Sequence, residues 1–191
     1  MLPCQKQFGQ WTNPKLKAID PRTIYPLKMK SLLQMATKLS SYGDFYSTAS
    51  QTLVSSNTPA AMTYTNSSVS VGMSFSGSQI TVARSGYYWI ASQIQINRVT
   101  GNTATPIAVW LRVNGVDVSQ SGTSVNLTTQ TGIVTITFVS ILQLISGQYF
   151  EVYWCHSDTA SHIDLLPTAS QVTPFPAPGV PSVSTEVFQI A

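Results

Sequence analysis

From Ile80 to Trp154 apolar side chains recur at every second position, and this period of two constrains the chain more than any other feature. After Gly86, the residues Tyr88, Ile90, Ile94 and Ile96 fall on one face, and Gln93 and Gln95 on the other. Val109, Leu111 and Val113 alternate with Trp110 and Arg112. Val134, Ile136, Phe138, Leu142 and Leu144 form a third row, and Phe150, Val152 and Trp154 a fourth, opposed by Glu151. A side-chain period of two is that of a strand with one face against a core. Asn114-Gly115 sits between two such runs, and both residues tolerate the positive φ of a type I′ hairpin turn. Ser146-Gly147-Gln148 marks the next turn. Short strands at even spacing predict an all-β fold, an antiparallel jelly-roll β-sandwich.

The rows opposite the predicted core are not uniformly polar. Tyr87, Trp89, Trp110, Val139, Ile141 and Tyr153 occupy them. That much large apolar surface is unusual on a monomer, so these six are the candidate oligomer interface, buried where one flank of the sandwich meets other subunits. Composition agrees: only 9% of the 191 residues are charged and 43% are hydrophobic, against roughly 25% charged in ordinary soluble proteins. A chain so poor in charge is suited to burial in an assembly.

The net charge of +3 is uneven, with +5 over residues 1–46 and −2 over the rest. Pro3, Pro14, Pro21 and Pro26 break any long helix before residue 27 and favour an extended arm. Trp11, Lys15, Lys17, Arg22, Tyr25, Lys28 and Lys30 are its candidate anchoring residues. The cations are too dispersed for a polybasic run, so a protein partner is favoured over nucleic acid. Leu32, Leu33, Met35, Ala36 and Leu39 form an apolar helical face, which predicts one short helix over about 27–39. The arm is placed at 1–45 and the jelly roll at 46–191. Within 40–79, Leu53-Val54, Met62–Tyr64 and Val69–Phe75 are expected as short strands.

Several classes find little support. The first residues lack a signal-peptide pattern, and the longest apolar tract, Ile133–Ile145, is shorter than a membrane-spanning helix. Cys4 and Cys155 make no disulfide framework. The sequons at Asn66 and Asn126 carry little weight in so Ser/Thr-rich a chain. His156, Asp158, His162 and Asp164 gather both histidines with two carboxylates and are the candidate metal ligands. They would share a face only if residues 156–164 formed one strand, and a loop is the favoured reading. Adjacent in sequence, Cys155 and His156 would point to opposite faces of a strand. No catalytic constellation can be named, and neither an enzyme nor a cofactor is expected. The proline-rich stretch around Phe175 predicts an extended loop before the last strand.

These residues resemble a family. Ile80-Thr-Val82 followed by Ser85-Gly86-Tyr87-Tyr88 is similar to the "sGyY" strand of C1q-like domains in the C1q/TNF superfamily. Val109–Gly115 resembles its "v.l.vNG" hairpin. Ser140–Val152 resembles a strand, turn and strand that usually carry a "GD" pair, with Gln148 in place of the acid. The resemblance covers about residues 70–191. It implies a ten-stranded jelly roll that trimerises about a threefold axis. Collagen-stalked members are secreted recognition proteins, and similar domains occur in the virions of bacteriophages and large DNA viruses. This chain has no Gly-X-Y repeat, and its last residues, Val180–Ala191, read more like a phage-type terminal strand. The resulting expectation is a virion structural protein (minor capsid, decoration or cement), homotrimeric and tied by its arm to major capsid or other virion proteins. The alternative is a receptor- or glycan-binding module, as in a tail fibre or a secreted C1q-like domain.

Overall fold

The computed structural model describes residues 41–53, 56–101, 104–128, 133–158, 162–170 and 177–191. The predicted arm, its anchoring residues, the helix over 27–39 and Phe175 lie outside them. The described residues contain no helix. In chain order the strands are β1 (Tyr42–Ser47), β2 (Gln51–Thr52), β3 (Ala60–Ala61), β4 (Asn66–Val71), β5 (Met73–Ser76), β6 (Gln79–Val82) and β7 (Gly86–Thr100). They continue as β8 (Thr105–Val113), β9 (Val116–Asp117), β10 (Thr123–Leu127), β11 (Ile133–Leu144), β12 (Tyr149–His156), β13 (His162–Leu165) and β14 (Val183–Gln189).

Two antiparallel sheets enclose the core. The first runs β11-β7-β14-β1-β4, and the second β10-β8-β12-β6-β5. The short strands β13 and β2 extend the first sheet, and β3 and β9 attach to the second. This is the jelly roll that the alternation predicts, with successive strands passing between the sheets. Tyr88, Ile90, Ile94, Ile96, Val109, Leu111, Leu144, Phe150, Val152 and Trp154 are all buried between them. At roughly 1.5–3 kcal/mol for each large apolar side chain removed from water, this burial is the main force holding the sheets together.

The turns follow the predicted chemistry. Asn114 and Gly115 have φ of 49° and 81°, and Val113 pairs with Val116 to close a two-residue hairpin. Gly147 has φ of 85°. Gln148, the residue that replaces the usual acid, accepts a hydrogen bond from the Ile145 amide through Oε1 at 2.9 Å. Its neutral amide therefore closes the turn without a carboxylate.

Gly86 is required for a different reason, close approach. A Cβ there would overlap the Ala191 carbonyl oxygen and the Gln189 side-chain amide. That carbonyl accepts the Tyr87 amide at 2.7 Å, while the Ile190 amide donates to Tyr87 O at 2.8 Å. The resemblance motif thus holds a glycine where the last strand docks.

Among the described residues the first sheet includes β1, which pairs with β14 and β4 on either side. Two expectations need correction. Val69–Phe75 is two strands in different sheets, β4 and β5, separated by Gly72 with φ of 64°. A positive φ redirects the chain there, which an apolar pattern alone does not report. Met62 and Tyr64 are buried but lie outside any strand.

Gln95 departs from the simple alternation too. It is buried on the outward side, at the point where β7 changes partner from β14 to β13. Its side-chain amide donates to Pro181 O at 2.8 Å and its Oε1 accepts from Thr168 Oγ1 at 3.1 Å. A Thr168–Val180 bridge joins the segments that supply these two partners.

Candidate functional site

Strand register decides what the outer face of the first sheet looks like. Ile141 lies opposite Trp89, Trp89 opposite Phe188, Phe188 opposite Tyr42, and Tyr42 opposite Val71. One apolar row therefore crosses β11, β7, β14, β1 and β4. Ile141 is 58% exposed, Phe188 44%, Val71 40% and Tyr42 38%. The rings of Trp89 and Phe188 are tilted together with centroids 5.6 Å apart.

The next row holds Val139, Ala91, Glu186, Asp44 and Val69 in the same strand order. Val139 is 55% exposed. Asp44 accepts hydrogen bonds from Ser68 Oγ at 2.5 Å and Ser184 Oγ at 3.2 Å, and Glu186 lies directly across from it. A third row is polar, with Thr137, Gln93, Ser184 and Tyr46. On the far side of the apolar row, Tyr87 and Ile190 are also exposed. The face is thus an apolar band with two carboxylates at its border.

Of the six candidate interface residues, Tyr87, Trp89, Val139 and Ile141 belong to this face. Trp110 and Tyr153 do not. They stand opposite each other on β8 and β12 in the second sheet, so the single flank expected from the sequence is divided between two outer faces. Periodicity tells inward from outward but carries no record of which sheet a strand joins. Phe188, Tyr42 and Val71 were missed for a related reason. Their strands are short, and only the pairing of β14 with β7 aligns them with Trp89.

The second face carries a separate cluster. Trp110 and Tyr153 have ring centroids 5.9 Å apart, and the Arg112 guanidinium lies 4.0 Å from the Tyr153 ring centre. Asp117 accepts from both Trp110 Nε1 at 2.6 Å and Arg112 Nε at 2.5 Å. Those donors hold the Asp117 carboxyl below the usual carboxylate range, Arg112 contributing most. The Tyr153 ring is therefore partly covered by the chain's own arginine.

The candidate metal ligands are not gathered. His156 ends β12 facing inward and is buried, and Cys155 beside it faces the other way, half-buried. His162 and Asp164 lie on β13, where His162 Nε2 is 2.9 Å from Asp164 Oδ1. Asp164 also accepts from Thr52 Oγ1 at 2.6 Å, and Asp158 accepts from Thr105 Oγ1 at 3.0 Å. Among the described residues no group of three or more His, Cys, Asp or Glu side chains could hold a metal ion.

With this geometry established, comparison with known proteins gives a structural match. The crystal structure of murine APRIL at pH 5.0 superposes with a TM-score of 0.51 at 9% identity, covering 79% of this chain and 99% of that one. The chain has a TNF-like jelly-roll fold. No family model matches the sequence, and neither does any curated protein.

Proposed function

We propose that this chain is a structural subunit that assembles as a homotrimer through the outer face of its β11-β7-β14-β1-β4 sheet. The observation that carries the reading is the unbroken row Ile141, Trp89, Phe188, Tyr42 and Val71, apolar across five strands and open to water in the single chain. A patch that runs across five strands of a sheet is of a kind rarely left exposed on a monomer. Burying it in a second and third copy is driven by the same hydrophobic effect that closes the core. Asp44 and Glu186 beside the row disfavour any packing that brings like charges together, which restricts the register of association.

The setting we propose is a virion, where the trimer decorates or cements a protein shell. The sequence supports it through the low charge, suited to permanent burial, and through the +5 balance of residues 1–46, suited to attachment. In this reading Trp11, Lys15, Lys17, Arg22, Tyr25, Lys28 and Lys30 engage a neighbouring shell protein.

A second reading, as a recognition module, is favoured by Trp110, Tyr153 and Arg112 on the opposite sheet, an aromatic cluster that a trimer built on the first sheet would leave accessible. Light scattering on the full chain over a range of concentrations tests the assembly. A trimer that becomes monomeric in Phe188→Glu supports it, and a wild-type monomer refutes it. Mass spectrometry of purified virus particles tests the setting. Absence of the chain from particles, with a trimer intact, would remove the virion role and leave the recognition role.

A further inference from the structure

Arg98 is the least expected residue in the interior. It follows Tyr88, Ile90, Ser92, Ile94 and Ile96 on the inward row of β7 and is only 3% exposed. Its Nη2 donates to Leu127 O at 2.9 Å, at the end of β10. Among the described residues, Nε and Nη1 meet no acceptor. Ile96 before it on β7, Leu127, and Ile163 opposite it on β13 are all buried.

A second group with the same deficit lies at the same end of the sandwich. Leu127 pairs with Thr105 at the start of β8, and His156 pairs with Ile107 two residues further along that strand. His156 is 4% exposed, and its Nδ1 is buried without a hydrogen-bond partner. Burial pushes the imidazole pKa down, against a backbone hydrogen bond to Asp158 and the Asp158 charge, so His156 is held neutral and its single ring N–H is directed to Asp158. The nearby Asp158 carboxylate accepts from Thr105.

A guanidinium cannot shed its proton to escape burial as a lysine or histidine can. Leaving it uncompensated in an apolar interior is costly, and buried charges are accordingly paired. The donors left without an acceptor are Nε–H and both Nη1–H groups of Arg98. They call for an acceptor with negative charge. One buried positive charge is neutralised by one negative charge, whereas a dianion would leave an excess.

We propose that a monovalent anion, either a halide or a small carboxylate, binds between the sheets at this end and is held by Arg98. It would fix β7 to the β10–β8–β12 edge of the opposite sheet. The site is independent of the apolar outer face and of the assembly built on it.

The test uses the full chain at constant ionic strength, exchanging sodium isethionate, whose anion is too bulky to enter, for sodium chloride or sodium acetate. A bound ligand raises the thermal midpoint by mass action, by roughly 3–5 °C for each tenfold increase in anion above its dissociation constant. The expected result is such a rise with chloride, with acetate or with both, and the pattern assigns halide or carboxylate. Arg98→Met should abolish the dependence, while Arg112→Met, which removes an exposed cation, should keep it. A wild-type midpoint indifferent to the anion, or the same dependence in Arg98→Met, would overturn the proposal. Should Arg98→Met not fold, chloride-35 line broadening on the wild type decides the halide case, and acetate line broadening the carboxylate case. Saturable broadening of either supports the site. Only linear broadening with both overturns it.

Discussion

Trp89 and Phe188 face each other directly across β7 and β14, their ring centroids 5.6 Å apart, both on the outward side of the sheet. This pair stands at the centre of the apolar row, so it should contribute most where a partner excludes water. Phe188→Glu should convert the assembled form to monomer at micromolar concentration, read by light scattering. Phe188 is 44% exposed in the single chain, so the variant's unfolding midpoint, measured under conditions where both proteins are monomeric, should stay within about 1 kcal/mol of the parent. Loss of folding together with assembly would contradict the surface role.

A buried relay holds the centre of the sandwich. Thr185 Oγ1 lies 2.8 Å from both Tyr64 OH and Ser92 Oγ, and burial drives the Tyr64 phenol pKa far above its ordinary value. Thr185→Val preserves shape but strands two buried hydroxyls. The cost should be roughly 2–6 kcal/mol by urea denaturation, from about 1–3 kcal/mol for each unsatisfied group. Thr185→Ser, which keeps the hydroxyl and loses only a methyl, should retain most of the stability.

The last strand has a local dependence on Gly86. Gly86→Ala would push against the Ala191 carbonyl and the Gln189 amide, and the carbonyl is backbone that cannot rotate away. The Tyr87–Ala191 and Ile190–Tyr87 hydrogen bonds should open first. Amide exchange at Tyr87 and Ile190 should accelerate at least tenfold, while amides in the centre of β7, such as Ile94, stay protected.

How much of this was legible in the residues depended on which interaction decided each element. Asn114-Gly115 and the alternating rows of β7, β8, β11 and β12 are local signals, and the structure follows them. Gly72 and the division of Val69–Phe75 between sheets were hidden because the apolar pattern continues through the turn. Gln95 looked like a solvent-facing residue, yet it is buried and bonded to Thr168 and Pro181, which no local period encodes. The apolar outer row was half visible. Trp89 and Ile141 stood out by type, but Phe188 and Tyr42 join them only through long-range register. Arg98 follows the inward row of β7 by position, yet its residue type points to the surface, so its burial came only from the fold.

His156 predicts how the protein responds to acid. Its folded-state pKa is lowered, chiefly by burial, while the unfolded chain titrates near the ordinary value of about 6.5. Below that value the unfolded state binds a proton that the folded state refuses, so stability is full above about pH 6.5 and declines as pH falls. Asp158 works against this shift through a backbone hydrogen bond and its charge. The urea midpoint should therefore drop between pH 7 and pH 5.5. His156→Gln, which cannot be protonated, should flatten that slope over the same range. A slope that survives unchanged in His156→Gln would assign the acid response to another group.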